Sequence, residues 1–392
     1  MDQKPKNYRT PKIAELFPEL VRAGLAGDRS GVELVTSTAI RVLREPFPEI
    51  ASALADLMAS AATGSANVRW NSTEPPPADS DSGAALVRII TAERALEPVL
   101  PEPVASAVHQ FIAERQATSK LLREGLLPPR SLLLMGAPGT GKTMLAHWIA
   151  AQLEVKLVVL DLASAMSSFL GKTGSNLRRS LDFARGQPCV FLLDEFDAIA
   201  KRRDDETEVG ELKRIVNVLL KELEDWPVQS VLVAATNHPE LLDPAISRRF
   251  DVVLELPKPE VGQREAILRL ACVRFSELLP TGFLPAVAQV TDGLSGSALV
   301  TLAQTAVRRH VVADIPLSQS IVAQVLGAMG GDVDHYGELV QALHETGDLS
   351  VRNTAALFGK SPSTIQYYLT KPKPRSASDA HPAPKKTHTR ER

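Results

Sequence analysis

The chain has 392 residues, room for two to four domains at roughly 100–200 residues each. Hydrophobic residues at 44% and charged residues at 23% are ordinary globular usage, which excludes wholesale disorder. With 44 Lys and Arg against 46 Asp and Glu the net charge is -2, so no global field draws the whole chain onto nucleic acid.

Residues 1–62 read as a small helical domain. Ile13, Leu16 and Leu20 recur at helical spacing, then Leu34, Thr38 and Val42, and after Pro48 a third run of Ile50, Ala53, Leu54 and Leu57. Residues 63–85 change character: Gly64, Ser65, Pro75, Pro76, Pro77, Asp79, Ser80, Asp81 and Ser82 cannot bury enough to order themselves. That predicts a disordered linker, with the first domain a recruitment unit on a tether. Residues 86–259 read as an α/β domain. Within it Leu132–Leu134, Leu157–Leu160, Val190–Leu193 and Val231–Ala234 are continuous apolar runs separated by helical stretches, the signature of a parallel sheet covered on both faces. The stretch after the third run carries Leu212, Ile215, Val216, Leu219, Leu220 and Leu223 on one helical face. Residues 260–330 lose the strand signal and read as helical, and residues 335–371 form a further helical unit.

The tail from Lys371 holds seven basic residues against Asp379 and Glu391, with four prolines, so 372–392 is expected to be disordered. Two cysteines, Cys189 and Cys272, are too few for a disulfide framework or a zinc cluster and fit a reducing compartment. No apolar run approaches the 18 or so residues of a membrane span. Met1–Lys6 offers charge and proline where a signal peptide needs an apolar stretch. The expectation is a soluble, cytoplasmic, multidomain protein with no membrane partner.

One motif carries chemistry by itself. Gly136, Ala137, Pro138, Gly139, Thr140, Gly141, Lys142 and Thr143 match G-x-x-x-x-G-K-[ST] in full, after an apolar strand and before a helical stretch. Glycines let backbone N–H groups turn inward around phosphates, Lys142 supplies positive charge to the β- and γ-oxygens, and the Thr143 hydroxyl ligates Mg2+. A second centre lies at Val190–Glu195, where four apolar residues end in two acids. Buried strands rarely end in paired acids without a cation to justify them. Asp194 is assigned to the Mg2+ shell, and Glu195 to orienting and deprotonating the attacking water.

Five motifs in order give a resemblance to the AAA+ ATPases, within them the AAA subgroup of FtsH-like and protein-remodelling ATPases. They are Gly136–Thr143, Phe191–Asp197, Ala234–Asn237, Leu242–Ala245 with Arg248–Asp251, and Gly293–Gly296, over residues of about 96 to 310. The resemblance implies a P-loop NTPase fold with a helical lid, ATP and Mg2+ as cofactors, and a hexameric ring. It implies that Asn237 hydrogen-bonds the γ-phosphate and positions the water. It makes Arg248 and Arg249 arginine fingers reaching the neighbouring subunit's nucleotide, worth roughly 10³–10⁵ in rate; which of the two reaches across stays open. Backbone near Val99 and Leu100 would hold the adenine. Phe169 falls where the family carries an aromatic that lines the central pore and pulls on polypeptide, and an aromatic grips an extended chain without reading its sequence. A core position for Phe169 remains the alternative.

Residues 349–368 resemble a helix-turn-helix. One helix ends at Phe358, Gly359 makes the turn, and Ser361 and Pro362 begin the next helix as cap and first residue. Ala355, Phe358, Ile365 and Tyr368 fall at core spacings, and Ser363, Thr364, Gln366 and Tyr367 would face the groove, although Thr354 and Lys360 stand at positions that are usually apolar. A three-helix bundle for protein contacts gives the same spacing. The sequence therefore predicts an ATP-hydrolysing ring that remodels or threads a protein substrate. Its alternative is an ATPase associated with double-stranded DNA through residues 336–392; stand-alone ATPases of this layout also resemble components of phage-defence or plasmid-maintenance modules with a partner protease.

Overall fold

A computed structural model describes residues 11–26, 29–63, 75–79, 83–91, 95–162, 173–198, 225–330 and 333–370. Phe169, the 212–223 apolar face and the basic tail lie outside them. The chain divides into two compact units, Met1–Lys258 and Pro259–Arg392.

The helices of the first unit used below are α1 (Pro11–Leu25), α2 (Arg29–Leu43), α3 (Pro48–Thr63), α4 (Glu102–Gln116), α5 (Thr118–Arg123), α6 (Lys142–Gln152) and α7 (Thr173–Gly186). Its sheet comprises β1 (Arg88–Ile90), β2 (Ser131–Met135), β3 (Lys156–Asp161), β4 (Cys189–Asp194), β5 (Val231–Thr236) and β6 (Val252–Glu255), in the order β1-β3-β4-β5-β2-β6. Strands β2 to β6 pair in parallel, and β1 runs antiparallel on β3.

Strand alternation explains the uninterrupted apolar runs, because both faces are dry. Leu133, Val158, Phe191, Leu193 and Leu232 face Leu177 and Leu181 of α7 and the buried Trp226. Leu132, Leu134, Leu157, Val190 and Leu192 face Phe111 of α4 and Leu145 and Ile149 of α6. Strand β2 lies between β5 and β6, and the chain leaves it for β3 on one side and later reaches β6 on the other. Its carboxyl end is therefore the switch point at which α/β sheets open a crevice.

The N-terminal helices are not a free unit on a tether. Ile40, Leu43, Ala51, Ala55 and Met58 form one cluster with Leu122 of α5. Ser37 Oγ donates to the Gly125 carbonyl at 2.8 Å, Val228 N–H donates to Glu33 Oε2 at 3.2 Å, and Arg44 pairs with Glu124. The buried faces are rotated from those the spacing predicts: Leu34, Ile50 and Leu57 are exposed, whereas Thr36, Ser37, Ala51 and Ala55 are buried. Small side chains let α3 approach α5 closely, and the Gly125 carbonyl satisfies the serine that α2 turns inward.

The expected disordered linker is also shortened. Ala78 bridges Ala85, Leu86 N–H donates to the Pro77 carbonyl at 2.8 Å, and the buried Asp79 accepts from Asn176 Nδ2 at 2.8 Å. Val87 then enters the sheet core. A polar composition orders here because the sheet and α7 supply the apolar surface and the hydrogen-bond partner that the segment lacks.

The described residues of the second unit are helical, with Val261–Ala271, Phe283–Val290, Gly296–Ala313 and Leu317–Ala328 followed by Val333–Glu345, Val351–Phe358 and Pro362–Thr370. Leu268, Phe283, Leu302 and Ile321 share one core with Leu339, Leu343 and Leu349, so the last three helices grow out of the core of the first four. Buried Arg264 ties helix ends together, from Nε to the Ala288 carbonyl at 2.8 Å and from Nη1 to the Pro259 carbonyl at 2.9 Å and Asp292 Oδ1 at 2.8 Å. No helix among the described residues is long and apolar enough to cross a membrane.

Candidate active site

The crevice is built where β2 hands over to α6. Gly136, Gly139 and Gly141 have φ of 148°, 77° and 102°. Gly136 is dictated twice, since a Cβ there would also sit 2.3 Å from the Leu256 carbonyl oxygen at the end of β6. Lys142 opens α6 and is only 7% exposed. Its ammonium donates to the carbonyls of Gly136 at 2.7 Å and Ala137 at 3.0 Å, and Thr140 Oγ1 donates to Ala137 O at 2.9 Å. Burial pushes the Lys142 pKa down, against the opposing pull of Asp194 and Asp197. The phosphate loop thus holds a desolvated cation within reach of two carboxylates.

Those carboxylates come from the end of β4 and from the turn that follows it. Thr143 Oγ1 donates to Asp194 Oδ2 at 3.0 Å, which brings the first turn of α6 against the end of a strand two places away in the sheet. The chain then turns sharply. Glu195 has φ of 54°, an arrangement that costs a non-glycine residue about 1–2 kcal/mol. It is held there by its N–H donating to Asp194 Oδ1 at 3.1 Å and by Phe196 N–H donating to the Ala235 carbonyl at 2.8 Å. The turn leaves Glu195 exposed while Phe196 is buried edge-on against Phe250, ring centres 6.2 Å apart.

Asp197 closes the Phe191–Asp197 motif, and the structure gives it a positioning role. Its carboxylate is buried, and Oδ1 accepts from Thr236 Oγ1 at 3.2 Å and from Asn237 N–H at 3.3 Å. Asn237, just past β5, is thereby fixed to the segment that carries Glu195. A short helix, Pro244–Ser247, follows, capped by Asp243 Oδ1 accepting from Ala245 N–H at 2.8 Å. Arg248 and Arg249 leave its end on the surface, between buried Ile246 and Phe250. Asp251 anchors the segment at the opposite end of β2, accepting from Arg130 N–H at 2.7 Å, Ser131 N–H at 3.0 Å and Ser131 Oγ at 3.1 Å. Leu100 is half-buried against the α4/α6 cluster.

Thr143 and Asp194 are hard oxygen donors side by side, a pair suited to Mg2+ beside nucleotide phosphates. Among the described residues no group of three His, Cys, Asp or Glu side chains could hold a metal by itself. Cys189 and Cys272 are both buried, and burial pushes both thiols up in pKa, so neither is a nucleophile.

Residues 132–258 match the family described as "ATPase family associated with various cellular activities (AAA)". The chain is 36% identical over 223 residues to the AAA family ATPase y4kL of Sinorhizobium fredii, covering 51% of this chain and 66% of that one. It is 36% identical over 236 residues to the ATP-dependent zinc metalloprotease FtsH of Acidothermus cellulolyticus, covering 57% and 35%. It is 37% identical over 187 residues to the proteasome-activating nucleotidase of Aeropyrum pernix, covering 46% of each. The chain thus spans less than two thirds of the length of each of these relatives. The crystal structure of the FIGL-1 AAA domain superposes with a TM-score of 0.51 at 20% identity, over 67% of this chain and 92% of that one, which supports the fold. Motif order, sheet topology and sequence match agree, and the chain carries a domain of the AAA ATPase family.

Proposed function

We propose that the protein hydrolyses ATP to ADP and phosphate at a site completed by a neighbouring subunit of a ring. The observation that carries the first half is the junction of Lys142, Thr143 and Asp194, with Glu195 turned out beside it and Asn237 tied in through Asp197. Bound Mg2+ would neutralise charge shared by the β- and γ-phosphates. Lys142 exchanges its two loop carbonyls for phosphate oxygens, which cost less to desolvate beside a cation that is already buried. Glu195 accepts the proton of the attacking water, and Asn237 orients that water against the γ-phosphate.

Glu195→Gln tests this reading. ATP should still bind, while turnover falls by roughly 10²–10⁴, the usual worth of a positioned general base. Turnover that survives the substitution would remove Glu195 from the mechanism.

The second half rests on Arg248 and Arg249, which stand exposed just after a rigid, capped helix, the placement a group supplied in trans requires. A hexamer is the assembly that the family resemblance implies. The work done by hydrolysis is the remodelling or threading of a protein. Two relatives are by name an ATP-dependent protease and a proteasome activator, and Phe169 supplies a side chain able to grip polypeptide. Exposed Leu25, Leu34, Ile50 and Leu57 make the N-terminal helices a suitable recruitment surface.

A further inference from the structure

The N-terminal helices pack in sequence and leave a gap. Helix α1 packs on α2, α2 on α3 and α3 on α5, but no packed seam joins α1 to α3 among the described residues. Between them lies a cavity of about 500 Å3, inside the range of roughly 300–1,000 Å3 usual for binding sites. Leu20 and Gly24 of α1 form one wall, Leu54 and Met58 of α3 the other, and Val32 and Thr36 of α2 the floor. On each helix the two residues stand one turn apart, so each side is a ridge running along its helix. Leu122 of α5 and Val228 complete the lining.

The cavity presents no unmatched charge. Glu33, the only charged residue that lines it, accepts from Val228 N–H at 3.2 Å. Arg115 Nη2 donates to the carbonyl of the same Val228 at 2.7 Å, so a carboxylate and a guanidinium grip one residue and offset each other. Apolar surface continues past the mouth. Phe17, Val21 and Leu25, at i, i+4 and i+8 on α1, are exposed over about 12 Å, and Leu57 is exposed on α3. The ends of the chain offer nothing to cover this surface: residues 1–10 hold only Met1 and Tyr8 as large apolar side chains, and residues 371–392 hold none.

From these observations we infer that the space between α1 and α3 receives the uncharged, apolar face of an amphipathic helix from a partner protein, which completes a four-helix arrangement with α1, α2 and α3. Two ridges on either side of an apolar floor fit a helix that presents anchors at i, i+3 or i+4 and i+7. A small apolar molecule could fill the cavity but would leave Phe17 and Leu25 in water. An extended peptide adds to an exposed sheet edge, which three helices lack. The inference rests on the reading of the N-terminal helices as a recruitment surface, and it names the chemistry of what they recruit.

Gly24 supplies the test. Nothing lies within 4 Å of a Cβ built there, and its backbone is already helical, so Gly24→Phe puts a ring into the gap and should keep or raise the melting temperature. Val21→Glu, at an exposed position on the rim, adds a charge instead. Two fluorescein-labelled 18-residue peptides are titrated by anisotropy onto the full chain without nucleotide. One carries leucine at i, i+3, i+4, i+7 and i+11 among alanine, lysine and glutamate; the other has the same composition with its leucines spread around the helix. The first should bind at least tenfold more tightly, with little dependence on salt, and each variant should weaken it about tenfold. Equal affinity for the two peptides, or binding of the first that is unchanged in both variants, would overturn the inference. So would self-association that both variants abolish while neither peptide binds, since the gap would then belong to a second copy of the chain. ATP turnover with an unfolded, carboxymethylated polypeptide separates this inference from the remodelling reading. Peptide binding as expected with no such stimulation would uphold the inference and overturn remodelling; stimulation undiminished in both variants would do the reverse.

Discussion

Asp197 shows how a single buried side chain fixes the geometry of the proposed site by holding Asn237. Its buried Oδ1 receives both the Thr236 hydroxyl and the Asn237 N–H, so truncation leaves two donors facing a void. Asp197→Ala should lower stability by about 1–3 kcal/mol in urea unfolding, and should lower kcat more than it raises KM for ATP, since Asn237 loses its anchor. Asp197→Asn, which keeps the acceptor oxygen, should recover most of the stability. A loss of stability with kcat intact would make Asp197 purely structural. Gly136 is the steric counterpart. Gly136→Ala places a methyl 2.3 Å from the Leu256 carbonyl, so nucleotide binding should be lost together with a fall in melting temperature. At this scale the glycines, Lys142, Thr143, Asp194 and Glu195 were legible in the sequence, because phosphate chemistry allows few substitutes. The role of Asp197 was not, because it depends on a hydrogen bond across 40 residues.

At the scale of elements, the four central strands stood out as apolar runs because both of their faces are buried. The edge strands β1 and β6 went unmarked. Arg88–Ile90 is three residues long and is a strand only through its antiparallel pairing with Leu157–Val159. The N-terminal helices were located by periodicity but assigned the wrong face. Periodicity reports where apolar residues cluster, while close packing on α5 selected the alanines of α3. Leu122 lies at the centre of that contact. Leu122→Ala should therefore cost about 2–5 kcal/mol and expose the 29–63 segment to limited proteolysis, whereas helices on a free tether would be cleaved at the same rate in both proteins.

For the whole molecule, a nucleotide site shared between subunits makes a specific demand. A variant with both Arg248→Ala and Arg249→Ala and a second variant with Glu195→Gln should each be nearly inactive alone. Mixed, they should regain ATP turnover, because the intact Glu195 of one meets the intact arginines of the other. Absence of recovery in a mixture shown by light scattering to form joint assemblies would place the arginines in cis. The single arginines, tested in the same way, decide which of the pair crosses.

The sequence by itself determined the parallel α/β core, the phosphate loop and the paired acids Asp194 and Glu195 where β4 ends. Each follows from chemistry local in the chain: glycines for positive φ, apolar runs for two-sided burial, and adjacent acids for a cation. It also marked the Phe358–Pro362 turn, since a left-handed glycine and a serine cap are local requirements. Only the tertiary structure decided that the N-terminal helices sit on α5, that residues 75–79 and 83–87 pack against the sheet and α7, and that Val333–Glu345 and Val351–Phe358 share a core with the rest of their unit. Those outcomes depend on which surfaces meet across long separations, and hydrophobic burial, being non-directional, leaves no periodic trace of the partner in either segment.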